Sequence, residues 1–298
     1  MRTGETLEPA ATSRRQGRGA LAVAYLAALG AAVVAGRLLS GHPPILVTAA
    51  ANLLATLVVF GFSVAYDNAS LYDPYWSVAP LPIVLSWAAA GSGGGRAAAI
   101  VILVCAWGAR LTHNQLRRWR GIADEDFRYR ALRARTGRAY WPVSLVTIHL
   151  CPTAWVFLGL LPLYPALAGP ARPPGLLDLV AAAVTIAAIA VEAIADLQLH
   201  HFLRRRRDPA AVLEHGLWAR SRHPNYLGEI LFWWGLYLFG LASDPAWAWT
   251  GVGPLAITLL FVLVSVPWMD RRMLAGHPAF AARLQTTPAL LPWPRRRA

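Results

Sequence analysis

Lysine is absent from this 298-residue chain, and all 28 basic side chains are arginine. With alanine so abundant, a GC-rich genome accounts for that absence most simply. A net charge of +13 otherwise points to nucleic acid, anionic lipid or an anionic cofactor. Charge of either sign is scarce: 14% of residues are charged, against roughly a quarter in a soluble domain. That scarcity, with 56% hydrophobic residues and a mean hydropathy of +0.43, excludes an ordinary soluble fold. Cysteine is nearly missing too. Cys105 and Cys151 each lie inside an apolar run, which excludes a disulfide framework. Histidine boxes are lacking: only His200 and His201 are adjacent, so neither a di-iron centre nor any other metal site is expected. The run Gly91-Ser-Gly-Gly-Gly95 has no strand before it and no amphipathic helix after it, so it reads as a linker and not as a phosphate-cradling loop. No internal repeat and no separate soluble domain is visible.

What the chain does have is long apolar runs. A bilayer core takes about 20 helical residues, and on that ruler spans fall near 20–39, 45–66, 74–91, 97–112, 142–168, 175–203, 225–243 and 247–268. The expectation is an all-α polytopic transmembrane bundle of about eight spans, within a range of about seven to nine. Pro152, Pro162 and Pro165 predict kinks in the fifth, which neighbouring helices can cover. Arg14, Arg15 and Arg18 ahead of an apolar stretch resemble a signal peptide. Arg37-Leu38-Leu39 makes a poor cleavage site, however, so a retained first span is expected.

The arginines test the count. With the N-terminus inside, the segments 1–19, 67–73, 113–141, 204–224 and 269–298 hold 24 arginines, while the outer loops hold only Arg37, Arg96 and Arg172. This is a strong positive-inside bias. It puts both termini on the cytoplasmic side, most simply of a bacterial inner membrane. Juxtamembrane arginine is ordinarily topology or contact with anionic lipid, so no nucleic-acid partner is expected.

Acidic groups within a span are costly and mark function by default. Glu192, Asp196, His200 and Arg204 recur at intervals of four and form one polar stripe down a helix; hydrogen bonding to a neighbouring helix is the plain alternative. A second constellation, Gly216-Leu-Trp-Ala-Arg-Ser-Arg-His-Pro-Asn-Tyr-Leu-Gly-Glu229, runs from a basic loop into the seventh span. Arg220, Arg222 and His223 offer cationic donors, and Asn225 and Tyr226 stand at a helix N-terminus, a natural anion site. Glu229 then enters the apolar part.

This block resembles that of the steroid 5-alpha-reductase superfamily, most closely its bacterial branch, the DUF1295 proteins. Glu192-x-x-x-Asp196, Trp233-Trp234-Gly235, Pro288 to Pro292, Arg110-Leu-Thr and Glu125-Asp126-Phe-Arg-Tyr129 fit the same pattern. The resemblance covers roughly residues 70 to 293. On that basis residues 1–44 are read as a tail with an extra helix and 45–298 as the reductase-like membrane domain. The Arg-His-Pro-x-Tyr core is shared with sterol reductases and isoprenylcysteine methyltransferases, so it marks the superfamily better than the reaction.

The resemblance implies a helical bundle that binds NADPH from the cytoplasmic side and reduces the carbon–carbon double bond of a hydrophobic enone, a steroid or isoprenoid-like lipid. It assigns cofactor contacts to Arg110, Glu192, Asp196, Arg204, Arg222, His223, Asn225, Tyr226 and Glu229. Glu192 departs from the asparagine of the eukaryotic enzymes. Asp73, in Asp73-Pro-Tyr-Trp-Ser-Val-Ala-Pro80, takes the place of the acid that polarises the substrate carbonyl. Such an acid needs a raised pKa from burial; a solvated aspartate or a helix cap before Pro74 is the alternative. The family's second donor, a tyrosine, is replaced here by Trp107, leaving Tyr75 or Tyr72 for the task. Two rivals stand beside this reading. One is an S-adenosylmethionine-dependent methyltransferase on the same bundle, which usually carries a paired glutamate after the last span, where this chain has Asp270-Arg271. The other is a lipid-binding or transport protein, which would explain the intramembrane acids but not the Arg-His-Pro-Asn-Tyr block.

Overall fold

The structure, a computed structural model, describes residues 8–208 and 210–291, with side chains from Gln16 onward. The stretch from Pro292, and with it the C-terminal arginine group, lies outside the described residues, as do the side chains of Arg14 and Arg15. Among the described residues there are helices and connecting turns and no strand. The longer ones are α1 (Glu8–Leu38), α2 (Pro44–Ala65), α3 (Pro80–Ala90) and α4 (Gly95–Arg118). They are followed by α5 (Phe127–Leu160), α6 (Leu176–Arg205), α7 (Pro224–Ser243) and α8 (Pro245–Gly276). Six of them, all but α3 and α7, are long and apolar enough to cross a membrane, the make-up of an integral membrane protein.

Several helix limits differ from the sequence expectation, and proline is the main cause. The expected span 74–91 is divided. Pro74 and Pro80 bracket a single turn, Tyr75–Val78, and only α3 continues, for 11 residues. Proline cannot donate to the helical ladder and constrains the residue before it. The expected fifth span starts earlier, because the arginine-rich stretch from Phe127 is already helical, and it stops at Leu160. Pro162 then opens the separate short helix Leu163–Ala168. Pro152 lies inside α5, just after the locally widened turns Leu145–Leu150.

The chain divides into two compact units, one of 1–87 with 104–157 and one of 88–103 with 158–298. In the first, small residues of α1 and α2 (Ala28, Ala55, Val59) close on a buried group of rings from Tyr72, Tyr75 and Tyr140. In the second, α6 and α7 pack antiparallel at close range. A Cβ on Gly228 would lie 2.7 Å from Glu192 Cβ and 2.9 Å from the Ala188 carbonyl, and one on Gly235 would meet the backbone of Thr185 at 3.1 Å. Two glycines seven residues apart therefore let the helices touch backbone to backbone. A buried pair, Arg96 to Asp178 at 2.5 and 2.8 Å, joins the start of α4 to the start of α6 within the same unit.

Candidate functional site

In the first unit, two short polar segments are stitched together. Asn68 caps the turn Ala69–Tyr72 by accepting from Ser70 N at 2.7 Å, and its amide donates to the Ile122 carbonyl at 2.5 Å. Glu125 Oε1 accepts from Ala69 N at 3.0 Å and from the Tyr140 hydroxyl at 2.9 Å. Asp126 N donates to Ser70 Oγ at 2.7 Å, while its carboxylate caps α5 at Arg128 N. Arg133 lies over the Tyr140 ring at 4.1 Å, a cation–π contact that closes the junction.

This stitching sets the surroundings of Asp73. Pro74, and not Asp73, is the N-cap of the turn Tyr75–Val78, which has no side-chain cap. The Asp73 carboxylate accepts from the Tyr129 hydroxyl, and Arg128 stands 3.8 Å away. Its side chain is 19% exposed. Burial pushes the Asp73 carboxyl up to about 6, against the opposing pull of Arg128 and of the Tyr129 hydrogen bond. At and below about pH 6 a substantial share of the group is thus protonated and available as an acid. Tyr75 is buried, and its ring lies 5.5 Å from both Tyr25 and Tyr72. The Tyr72 hydroxyl pairs with Thr153 at 2.7 Å and Thr153 with Thr56 at 2.9 Å, a line of hydroxyls leading into the apolar interior. Trp107 is fully buried against Trp76. Arg110, half-buried, is on α4 in this same unit.

The second unit carries the other expected residues. Glu192 and Asp196 are buried on α6, His200 is half-buried and Arg204 exposed, so the stripe runs from interior to surface. The Gly228 and Gly235 contacts fix the α6/α7 register, which brings Asn225 level with Asp196. Asn225 Oδ1 is buried with no hydrogen-bond partner among the described residues. Glu229 is buried and accepts from Trp233 Nε1 at 2.8 Å. Arg222 is held firmly by Asp270, Nε at 3.2 Å and Nη2 at 2.7 Å, and also donates to the Thr287 carbonyl. His223 Nε2 lies 2.8 Å from the same carboxylate, with the Tyr226 ring stacked on it at 5.1 Å.

The loop before α7 is equally braced. Gly216 takes φ +63° against the Gln198 side chain, whose Oε1 accepts from Leu217 N at 2.9 Å. Trp218 donates to the Ala195 carbonyl at 2.9 Å. The backbone of Arg222 and His223 donates to the Pro288 and Ala289 carbonyls, each at 3.0 Å.

Two residues at these sites had no functional role in the sequence reading. Tyr129 stands 56 positions from Asp73, and only its place in the Glu125–Tyr129 segment singles it out. Asp270 drew notice merely for what it replaces.

The family model DUF1295, described as a protein of unknown function, matches residues 59–287. An uncharacterized protein of Schizosaccharomyces pombe, C594.04c, is 30% identical over 223 residues, 65% of this chain and 64% of that protein. The match thus spans less than two thirds of the relative's length. No solved structure matches.

Proposed function

Because the chain belongs to the DUF1295 family, and because burial holds one carboxyl, Asp73, ready to be protonated, we propose that it is a membrane oxidoreductase that uses NADPH to reduce the carbon–carbon double bond of a hydrophobic enone. The substrate class is a steroid or an isoprenoid-like lipid. The Asp73 environment is the observation that carries this reading. When hydride adds to the β-carbon of an enone, negative charge builds on the carbonyl oxygen, and a neutral acid placed there stabilises it. Asp73 supplies that proton, and Tyr129 and Arg128 keep its carboxyl oriented. Tyr75, beside it in sequence, offers a second hydroxyl.

The second unit would hold the cofactor. Asn225 Oδ1, a buried acceptor lacking a donor among the described residues, suits an amide such as that of nicotinamide, since leaving it unpaired costs about 1–3 kcal/mol. Glu192 and Asp196 can accept from ribose hydroxyls. Arg204 is a bidentate donor suited to phosphate, and His223, Tyr226 and Glu229 complete the proposed set in this unit. Arg222 is assigned a different part: Asp270 occupies its fork, so it shapes the start of α7, and any phosphate would meet the pair and not a lone cation. When bound, NADPH would supply the hydride. Both termini and this end of α6 and α7 are proposed to face the cytoplasm.

The test is a thermal-stability titration of protein purified in detergent, with NADPH and with S-adenosylmethionine. NADPH is expected to raise the melting temperature, because a ligand that binds only the folded state stabilises it. A response to S-adenosylmethionine alone would overturn the reductase reading in favour of a methyltransferase.

A further inference from the structure

The end of α6 and α7 opposite the Arg222–Asn225 segment carries a different arrangement. A cleft of about 200 Å³ is lined there by Tyr164, Pro165, Arg172, Ser243, Asp244 and Trp247, among others. All belong to the second unit. Such a volume falls below the roughly 300–1,000 Å³ of pockets that enclose drug-sized ligands, so neither a dinucleotide nor a steroid is its occupant. Its walls are fixed. Arg172 Nη1 donates to the Ser243 carbonyl at 2.8 Å, and Ser243 Oγ donates to the Pro165 carbonyl at 3.1 Å. Asp244 is held by accepting from Ala246 N at 3.1 Å.

A guanidinium has five N–H donors, and the Ser243 carbonyl takes one, so the group is anchored while keeping capacity for an anion. The same small cleft presents the Asp244 carboxylate and the Tyr164 and Trp247 rings, whose centroids are 5.5 Å apart. A ligand matching both ends carries a phosphate and an ammonium a few bonds apart. Its surroundings are those of a bilayer interface. Trp247 stacks on Trp249 at 5.8 Å, Trp249 is 60% exposed, and Val252 and Leu255 continue this exposed apolar surface along α8. Tryptophan and tyrosine gather at the level of lipid headgroups.

We propose that this cleft binds the headgroup of a zwitterionic phospholipid carrying a primary ammonium, with phosphate on Arg172, ammonium on Asp244 and Trp247, and acyl chains along Trp249, Val252 and Leu255. The site is independent of the reductase reading. Native mass spectrometry of the detergent-purified chain, titrated with dioleoylphosphatidylethanolamine or dioleoylphosphatidylglycerol, tests it. The ethanolamine lipid is expected to be retained roughly fivefold better, the scale of one added contact of about 1 kcal/mol. Arg172→Gln should weaken both lipids, and Asp244→Asn, which keeps the acceptor for Ala246 N, should erase the preference between them. Equal retention of the two lipids by the wild-type chain overturns the proposal. So does soluble phosphoethanolamine competing as well as the lipid does, which would assign the cleft to a free solute. Undiminished binding to folded Arg172→Gln protein overturns it as well.

Discussion

Asp73 concentrates the chemistry of a single residue. Its carboxyl is raised to about 6 by burial, so turnover that needs its proton is expected to fall as pH rises through about 6. Asp73→Asn should abolish turnover while leaving the NADPH-induced rise in melting temperature intact; retained turnover would remove Asp73 from the mechanism. The Tyr129 hydrogen bond lowers the Asp73 pKa, so Tyr129→Phe should move the pH profile upward and not merely scale it down. The same shift has a consequence for stability. The folded state binds this proton more tightly than the unfolded chain, so its contribution is complete below pH 4 and is lost as pH rises through about 6, on the order of 2–3 kcal/mol in all. Thermal unfolding in detergent across that range should show the slope in the wild type and lose it in Asp73→Asn. The place of Asp73 was legible, because a carboxyl directly before Pro-Tyr-Trp at a span boundary is unusual. Tyr129 was not, because the contact is made by folding two distant segments together and leaves no local pattern.

At the level of elements, the α6/α7 contact governs the second unit. Gly228→Ala must force Glu192 and the Ala188 carbonyl aside, and overpacking of this kind costs about 1–3 kcal/mol; a Cβ at Gly235 would also press on Thr185. Both substitutions should lower the melting temperature. Gly30→Ala, in mid-α1 with nothing within 4 Å of its Cβ, should leave it unchanged or raise it slightly, since alanine favours a helix over glycine by about 0.5–1 kcal/mol. Equal losses at Gly228 and Gly30 would refute the close approach. The apolar runs made most helices legible, α2, α6 and α7 to within a few residues. The divided 74–91 stretch was not, although its prolines were in plain view. Hydropathy reads burial in lipid and is blind to whether the backbone ladder continues, and the extension of α5 back to Phe127 is polar and outside its reach.

For the whole molecule, the one-sided arginines give a topology open to direct test. In a background lacking Cys105 and Cys151, Arg120→Cys and Glu214→Cys should resist a membrane-impermeant maleimide in intact cells, whereas Ser92→Cys and Ala171→Cys should react. All four positions are exposed on connecting segments, so a reversed pattern would invert the proposed orientation. Composition and charge made the membrane class legible. They carried no trace of the division into two units, which depends on which helices meet. One bond network also bears on the order in which the protein matures. Arg222 and His223 are held by Asp270 on α8 and by the carbonyls of Thr287, Pro288 and Ala289, all of which leave the ribosome after α7 has been made. The start of α7 therefore reaches its final shape only after synthesis of its last struts, and a nascent chain halted before residue 270 would carry α7 with Arg222 and His223 still unbraced.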